Sequence, residues 1–356
     1  MTLVAAALVL AGCTAGTGAP TPATSPATAS AGTVTGAPSP AGTAIPWVAP
    51  TTGDRFVVPL DVPAPSLAGN LLGDPADRWV VVTLPPSYFT SQERYPVVYF
   101  LEGVGTQAGQ LAGDRASIAH QMQAAGAREF IVVEADGINS LGANFYANSP
   151  VGGNMADFLS QDLVGTVDAS FRTIANRQAR ALAGFSMGGL GTVNLGLSRP
   201  DVFGSLYALS PPLLSPGTDL GVLGTDPGTG DAYAAAFAPD PTATAPPYAH
   251  VLDPTVPFSQ QDPAVVAAYQ RGLGDLPDKV AAYLAQPYRL SHVRVSYGLW
   301  DGYAFIGPGC DYLVALLEQN GIPHSLRTFG GPHAIDPGFV DSDFVSYFTQ
   351  QFAGAS

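Results

Sequence analysis

The sequence predicts an α/β fold with a mostly parallel central sheet flanked by helices. Eight short runs of β-branched, aromatic and other apolar residues are bounded by turn residues, which is the pattern of strands. From residue 97 onward, stretches with helical patterns separate these runs. The runs are apolar along most of their length, as strands are when helices cover both faces of a parallel sheet.

The elements follow from local signals along the chain. The predicted strands are Phe56–Leu60, Trp79–Leu84, Val97–Leu101, Phe130–Ala135, Ala179–Ala183, Ser205–Ser210, Val293–Gly298 and Ser325–Phe329. The predicted helices are Ala116–Ala125, Met155–Ala169, Leu190–Ser198, Ala264–Arg271 and Val314–Gln319. Gly126 and Asn320-Gly321 mark helix ends, because these residue types adopt the left-handed conformation that closes a helix. Asp262-Pro263 marks a helix start, with proline in the first turn.

Composition divides the chain into a polar tail and one large domain. Residues 14–48 are nearly all Ala, Thr, Pro, Ser and Gly, which cannot bury enough apolar surface to fold. The remaining residues, 49–356, suffice for a single α/β domain with a full core. The net charge is −14 and Lys279 is the only lysine, so phosphate backbones and anionic lipid are repelled. Nucleic acid is therefore not expected as a partner.

The N-terminus resembles the signal of bacterial lipoproteins. The apolar run Leu3–Ala11 is too short to span a bilayer and leads into Leu10-Ala11-Gly12-Cys13, which is similar to a lipobox. The resemblance implies removal of the signal, lipidation of Cys13 and anchoring on the outer face of the bacterial cell membrane, with 14–48 as a tether. No Lys or Arg precedes the run, a departure from export signals. The alternative is a plain cleaved signal and a soluble secreted protein. Cys310 is the only other cysteine, so no disulfide is expected if Cys13 is lipidated.

The motif Gly184-Phe185-Ser186-Met187-Gly188-Gly189 lies between a predicted strand and a predicted helix. A Gly-x-Ser-x-Gly sequence in that context is typical of a nucleophile elbow, in which a sharp turn exposes the serine hydroxyl. Glycines are needed beside it because the strained turn leaves no room for Cβ atoms. Ser186 is therefore the candidate nucleophile. The amide of Met187, at the start of the helix, can point at a developing oxyanion.

Several segments together resemble the esterase D-like branch of the α/β-hydrolases. This branch includes S-formylglutathione hydrolases, feruloyl and enterochelin esterases and mycolyltransferases. The similar segments are 82–88, 95–103, 181–189, 198–203 and 208–211, and the resemblance extends over about 79–211 and 292–350. It implies an α/β-hydrolase fold and a serine carboxylic-ester hydrolase that works through an acyl-enzyme, without a cofactor.

Such a serine needs a base, and in this fold the chain order is Ser, then Asp or Glu, then His. Among the five histidines, His333 alone follows the last predicted strand; the others are His120, His250, His292 and His324. Gly330-Gly331-Pro332-His333 is similar to the family's Gly-Gly-His segment, with Pro332 as an insertion. His333 is the candidate base, with His324 as the next candidate.

The acid is expected after the penultimate strand. The family has an aspartate shortly after a glycine there, and this chain has Gly298-Leu299-Trp300-Asp301. Asp301 is the candidate acid. Asp311 is the alternative, because Gly307-Pro308-Gly309 could redirect the loop.

A second oxyanion donor is expected from the loop after the third strand, which reads Glu102-Gly103-Val104-Gly105. By resemblance, the amide of Val104 joins that of Met187. Glu102 is a candidate for the substrate pocket or, equally, an exposed acid at a strand end. Trp300 and Tyr303 are candidates for the pocket or for the core. Mycolyltransferases have an arginine where this chain has Gly105, which disfavours that activity.

Between the sixth strand and the acid-bearing strand, about 212–291, lies an insertion that is too long for a plain connection. It is interpreted as a lid that shapes the pocket, or as a passive surface excursion. No Cys, His or carboxylate spacing indicates a metal site. The sequence thus predicts an exported, surface-tethered serine esterase acting on a small-molecule or cell-envelope ester. A mycolyltransferase-type acyltransferase and a catalytically silent cell-wall binding protein are the alternatives.

Overall fold

An eight-stranded sheet forms the centre of the described chain. The computed structural model describes residues 53–355 except 125, 219–228 and 254. Cys13 and the predicted segments 1–13 and 14–48 lie outside these residues. In chain order the strands are β1 Val57–Val62, β2 Arg78–Thr83, β3 Val97–Leu101, β4 Ile131–Ala135, β5 Asn148–Ser149, β6 Gly153–Asn154, β7 Arg180–Phe185, β8 Ser205–Leu209, β9 His292–Gly298 and β10 His324–Phe329. All eight predicted strands are present, each within two residues of its predicted ends.

The helices alternate with the strands from β3 onward. They are α1 Gln110–Gly113, α2 Arg115–Met122, α3 Met155–Asp157, α4 Val164–Ser170, α5 Met187–Ser198, α6 Gly230–Phe237, α7 Pro263–Leu273, α8 Leu276–Leu284, α9 Ile306–Gln319 and α10 Phe344–Gln351. A π-helical segment, Phe158–Leu163, joins α3 to α4, so the predicted helix over 155–169 is continuous but widened in its middle. Asp262 caps α7, since its carboxylate accepts the Ala264 amide at 2.8 Å.

The main sheet has the order β1-β2-β4-β3-β7-β8-β9-β10. The pairs β1–β2 and β2–β4 are antiparallel, and the pairs from β4 to β10 are parallel. Successive residues of β3 enter opposite cores: Val97, Tyr99 and Leu101 belong to one apolar cluster, whereas Val98 and Phe100 belong to the other. This alternation confirms that both faces are covered, and the predicted fold class is confirmed.

Helix α9 begins eight residues earlier than predicted. Gly307-Pro308-Gly309 lies in its first turn. Backbone amides in the first turn have no acceptor within the helix, so a proline, which lacks the N–H group, is tolerated there and the segment begins a helix instead of forming a loop. A Cβ on Gly309 would lie 1.9 Å from the carbonyl oxygen of Leu213, which explains the glycine. The earlier start places Asp311 inside the helix.

The insertion contributes α6, α7 and α8, and α8 packs on α5. It therefore packs on the helix that follows the serine turn, within the residues described. None of the described helices combines the length and apolar character that a membrane crossing requires.

Candidate active site

Ser186 lies in a tight turn between β7 and α5. Its backbone has φ 54° and ψ −115°, a conformation that residues with a Cβ rarely adopt. A Cβ on Gly184 would lie 2.4 Å from the carbonyl oxygen of Gly188, and one on Gly188 would lie 1.9 Å from that of Leu101. The two glycines are therefore required by close backbone contacts. The amide of Ser186 donates to the carbonyl of Leu209 at 2.8 Å, which fixes the turn against β8.

The structure brings Ser186, His333 and Asp301 together although 147 and 32 residues separate the bonded pairs. His333 Nε2 lies 2.8 Å from Ser186 Oγ, and His333 Nδ1 lies 2.7 Å from Asp301 Oδ2. The Asp301 side chain is 4% exposed, and its other oxygen accepts the amide of Tyr303 at 2.9 Å. The carboxylate is thus placed to accept from Nδ1 and leave Nε2 free to take the serine proton.

Backbone contacts join the loop that carries Asp301 to the loop that carries His333. The amide of Trp300 donates to the carbonyl of Gly331 at 2.9 Å. A Cβ on Gly298 would lie 2.3 Å from the carbonyl oxygen of Pro332, so only glycine permits this approach. The His333 ring packs against Phe185 and Tyr303, with centroid separations of 5.0 and 4.9 Å. The inserted Pro332 is accommodated within this arrangement.

The alternative residues lie elsewhere. Asp311, in α9, accepts the Tyr297 hydroxyl at 2.8 Å rather than facing His333. His324 Nδ1 lies 2.8 Å from the carbonyl oxygen of Ile322, and His292 Nδ1 lies 3.3 Å from the Tyr347 hydroxyl. His120 lies in α2, and His250 is at the surface near Asp240.

Val104 and Met187 line the same cavity as Ser186. Met187 is the first residue of α5, where the amide has no partner within the helix. Val104 is in the loop after β3, and within the described part of the chain neither amide has a hydrogen-bond acceptor. Both amides are therefore available to a negatively charged oxygen near Ser186.

The cavity beside Ser186 has a volume of about 380 Å³. Its walls are mostly apolar and aromatic; they include Phe145, Phe185, Tyr233, Tyr303, Phe305 and Ile306. Phe145 and Tyr233 stack with centroids 4.0 Å apart and ring planes 22° apart. Because Thr229 and Tyr233 come from the insertion, this segment forms part of the pocket wall.

Two pocket candidates lie outside this wall. Glu102, which directly follows β3, is fully buried and does not line the cavity, so it is not an exposed strand-end acid. Trp300 is 72% exposed, so it belongs neither to the cavity nor to the core; Tyr303 does line the cavity. Phe145 and Tyr233 were not singled out from the sequence, because their 88-residue separation has no local signature. In the described ranges, no group of three His, Cys, Asp or Glu residues is placed to hold a metal ion.

The strand order, the serine turn and the position of the site at the carboxyl ends of the strands define an α/β-hydrolase. The family described as "Putative esterase" matches residues 75–270, more than half of the chain. The chain belongs to this esterase family. The matched region contains Ser186, whereas Asp301 and His333 lie beyond it.

Two curated relatives each match about a third of the chain. An endo-1,4-beta-xylanase/feruloyl esterase of Xylanibacter ruminicola is 36% identical over 126 residues, which cover 33% of this chain and 17% of the relative. An esterase of Mycobacterium tuberculosis is 34% identical over 138 residues, which cover 37% of this chain and 29% of the relative. The matched segments thus span less than a third of either relative.

Solved structures show the same fold over most of the chain. A ferulic acid esterase superposes with a TM-score of 0.56 and 20% identity, covering 84% of this chain and 98% of that one. An S-formylglutathione hydrolase from Agrobacterium tumefaciens gives a TM-score of 0.54 and 16% identity, covering 86% and 99%. At these identities the likeness concerns the fold.

Proposed function

We propose that the protein is a serine carboxylic-ester hydrolase that uses Ser186, His333 and Asp301. The observation that carries this proposal is the continuous hydrogen-bonded chain from Asp301 Oδ2 through His333 to Ser186 Oγ, with both contacts between 2.7 and 2.8 Å. This series of hydrogen bonds ends at Ser186, which lines an apolar cavity together with Val104 and Met187, whose backbone amides are available as donors. These groups supply nucleophile, base, orienting acid and oxyanion donors, which together suffice for acyl transfer from an ester.

In the first half of the reaction, His333 Nε2 accepts the Ser186 proton as Oγ attacks the ester carbonyl carbon. The carbonyl oxygen becomes negatively charged, and the amides of Val104 and Met187 donate to it. Asp301 remains ionised and stabilises the imidazolium. When the tetrahedral species collapses, the bond to the alcohol oxygen breaks, and His333 returns its proton to that oxygen. An ester between the acyl group and Ser186 remains.

Water completes the cycle. His333 accepts a proton from the water molecule as its oxygen attacks the acyl carbon, and the bond to Ser186 Oγ then breaks as Oγ regains a proton. We favour water as the acceptor because Gly105 replaces the arginine of the mycolyltransferases that this segment resembles. The intact hydrogen-bonded chain argues against a catalytically silent binding protein.

A panel of p-nitrophenyl esters from acetate to palmitate tests the activity. We expect hydrolysis, with the highest kcat/KM for acyl groups that fit the cavity of about 380 Å³ and a lower value for palmitate. Tyr233→Leu removes part of the wall and is expected to shift the ratio of octanoate to acetate kcat/KM by about tenfold. Tyr288→Leu, on the surface of the insertion, is the matched control and should leave the ratio unchanged.

Failure to hydrolyse any ester of the panel would contradict the proposal. Product analysis in the presence of an acceptor sugar distinguishes hydrolysis from acyl transfer, because transfer converts the sugar hydroxyl to an ester. Predominant sugar ester would replace the hydrolase by an acyltransferase.

We also propose that the enzyme is exported and tethered through a lipidated Cys13. The support is the short apolar run that ends in Leu10-Ala11-Gly12-Cys13, followed by the polar segment 14–48. Two or more acyl chains would hold the protein firmly at the membrane. We expect the protein made in a bacterium to be found in the membrane fraction and Cys13→Ser to be released or to remain unprocessed. Cys310→Ser is the matched control, and equal fractionation of all three proteins would contradict the tether.

A further inference from the structure

Three carboxyl groups are buried at the carboxyl ends of β3 and β4, next to the loop that carries Val104. Glu102 directly follows β3, Glu134 lies within β4, and Asp136 directly follows it. Glu102 and Glu134 are fully buried, and Asp136 is 7% exposed. Burying charged carboxylates is costly unless they are hydrogen-bonded or neutralised, so each needs a specific explanation.

All three carboxyl groups accept backbone amides from the segment after β3. The amide of Leu111 donates to Glu134 Oε2 at 2.6 Å, and that of Gln110 lies 3.4 Å from Glu102 Oε1. The amide of Ala108 donates to Asp136 Oδ2 at 3.2 Å. The segment 103–111, which begins with the candidate oxyanion donor, is thus held at its far end by carboxyl groups of the sheet. We call this segment the oxyanion loop.

One oxygen of each glutamate lacks a hydrogen-bond donor. Glu102 Oε2 and Glu134 Oε1 are buried, and neither accepts a hydrogen bond from any donor in the described part of the chain. The two side chains are neighbours at the same edge of the sheet: Glu134 lies opposite Phe100, and the Glu102 amide donates to the Ala135 carbonyl at 3.1 Å. The adjacent amides of Gln110 and Leu111 approach one glutamate each. Two ionised carboxylates in this arrangement would repel, whereas a single proton between them satisfies both oxygens.

The surrounding charges do not neutralise the pair. Asp136 adds negative charge next to Glu102, and the nearby Arg78 interacts with Asp136 and Asp74. The Tyr146 hydroxyl donates to the carbonyls of Glu102 and Ala135 at 2.9 and 3.1 Å, not to the carboxyl pair. Burial keeps this phenol neutral by raising its pKa well above the usual value. The proton therefore has to reside on Glu102 or Glu134.

We propose that Glu102 and Glu134 share one proton and that this carboxyl pair is a positioning device, which holds the oxyanion loop so that the Val104 amide can donate to the oxyanion. The inference rests on the proposed function, because the Val104 amide has this role only if the protein forms an oxyanion during ester hydrolysis. Neither glutamate contacts the substrate. They act through the backbone of the loop.

The pair makes activity sensitive to alkaline pH. Burial, followed by the charge of Glu134, raises the pKa of Glu102 to about 9. Burial also raises the pKa of Glu134. Above the pKa of Glu102 the shared proton is lost, the two carboxylates repel each other, and the oxyanion loop loses its support. We expect kcat of the wild-type enzyme to fall by about an order of magnitude between about pH 8 and pH 10.

Glu102→Gln tests this expectation directly. A glutamine keeps the shape, and its amide donates permanently to Glu134 while its oxygen still accepts from Gln110. We expect this variant to have a kcat near that of wild type at pH 7.5 and to show no fall in kcat between about pH 8 and pH 10. Glu102→Leu cannot bridge the pair and should lower kcat by on the order of a hundredfold with little change in KM. Glu129→Gln is the matched control. Glu129 lies two residues before β4 and accepts a hydrogen bond from the Ser87 hydroxyl, away from the carboxyl pair. This variant should keep the wild-type fall in kcat between about pH 8 and pH 10.

Two measurements test the shared proton without any ester. The infrared carbonyl band of a protonated carboxyl group should be present in wild type at pH 7.5 and absent in Glu102→Gln. The pKa of Glu102 is 4.5 in the unfolded chain and about 9 in the folded protein, so binding of this proton stabilises the folded state. The stabilisation is complete below pH 4.5 and is lost as the pH rises to about 9. The urea midpoint should therefore fall more steeply over this window in wild type than in Glu102→Gln.

An alkaline fall that persists in Glu102→Gln, or an infrared band identical in both proteins, would overturn the inference. A protein that hydrolyses no ester yet shows the Glu102-dependent band would overturn the proposed function and the positioning role, but would retain the shared proton. The two failures are therefore distinguishable.

Discussion

Ser186→Ala is expected to lower kcat for ester hydrolysis by on the order of 10⁵- to 10⁶-fold. The hydroxyl lies 2.8 Å from His333 Nε2, and its replacement removes the atom that attacks the carbonyl. The fold should persist, because the turn is held by backbone contacts. Steady-state kinetics and thermal unfolding measure the two effects separately.

Ser210→Ala is the matched control for this substitution. Ser210 also has a positive φ, 44°, and follows the neighbouring strand β8, but its hydroxyl has no hydrogen-bond partner among the described residues. We expect activity within about threefold of wild type. A fluorophosphonate probe should label wild type and Ser210→Ala but not Ser186→Ala. Labelling of Ser186→Ala, or activity within tenfold of wild type, would place the nucleophile elsewhere.

Asp301→Asn is expected to lower kcat by about 10⁴-fold while leaving the fold intact. An asparagine can donate to His333 Nδ1 and thereby favour the tautomer that carries its proton on Nε2, which cannot accept the serine proton. The carboxylate is 4% exposed, so water cannot readily replace its interaction with the ring.

Asp311→Asn provides the comparison within the same region of the chain. Asp311 accepts the Tyr297 hydroxyl at 2.8 Å, and an asparagine oxygen can still accept it. We expect less than about a threefold change in kcat. The reverse ranking of the two variants would show that the loop delivers a different acid to His333.

The strands and the candidate nucleophile could be predicted because their signals are local, whereas Asp301 and His333 were predicted from the chain order of the fold and from family resemblance. Alternate residues of a continuous apolar run such as Val97–Leu101 pack into the apolar clusters on the two faces of the sheet. The glycines around Ser186 are required by the close backbone contacts of the turn. The start of α9 was predicted too late, because Gly307-Pro308-Gly309 is equally compatible with a loop. Only the contact of Gly309 with Leu213 decides between the two.

The pocket wall and the buried carboxyl pair could not be predicted in the same way. Phe145 and Tyr233 stack across elements from distant parts of the chain, and Phe145 does so from a left-handed conformation that an aromatic residue rarely adopts. Glu102 was expected at a pocket or on the surface, because a charged residue is seldom fully buried. Glu134, which is also fully buried, lies opposite Phe100 on the neighbouring strand, and no local pattern links it to Glu102.

The contact between α5 and β3 has a consequence for how this enzyme can change. A Cβ on Gly188 would lie 1.9 Å from the carbonyl oxygen of Leu101 and 2.9 Å from that of Glu102, so main chain meets main chain there. The position of the Met187 amide relative to β3 is therefore set by a contact that contains no side chain. Under the proposed function, we therefore expect substitutions at Tyr233 or Phe305, which line the cavity, to change substrate preference without moving the start of α5. The side chains of the cavity wall can therefore vary, in nature or in directed evolution, while the backbone contact between α5 and β3 is kept.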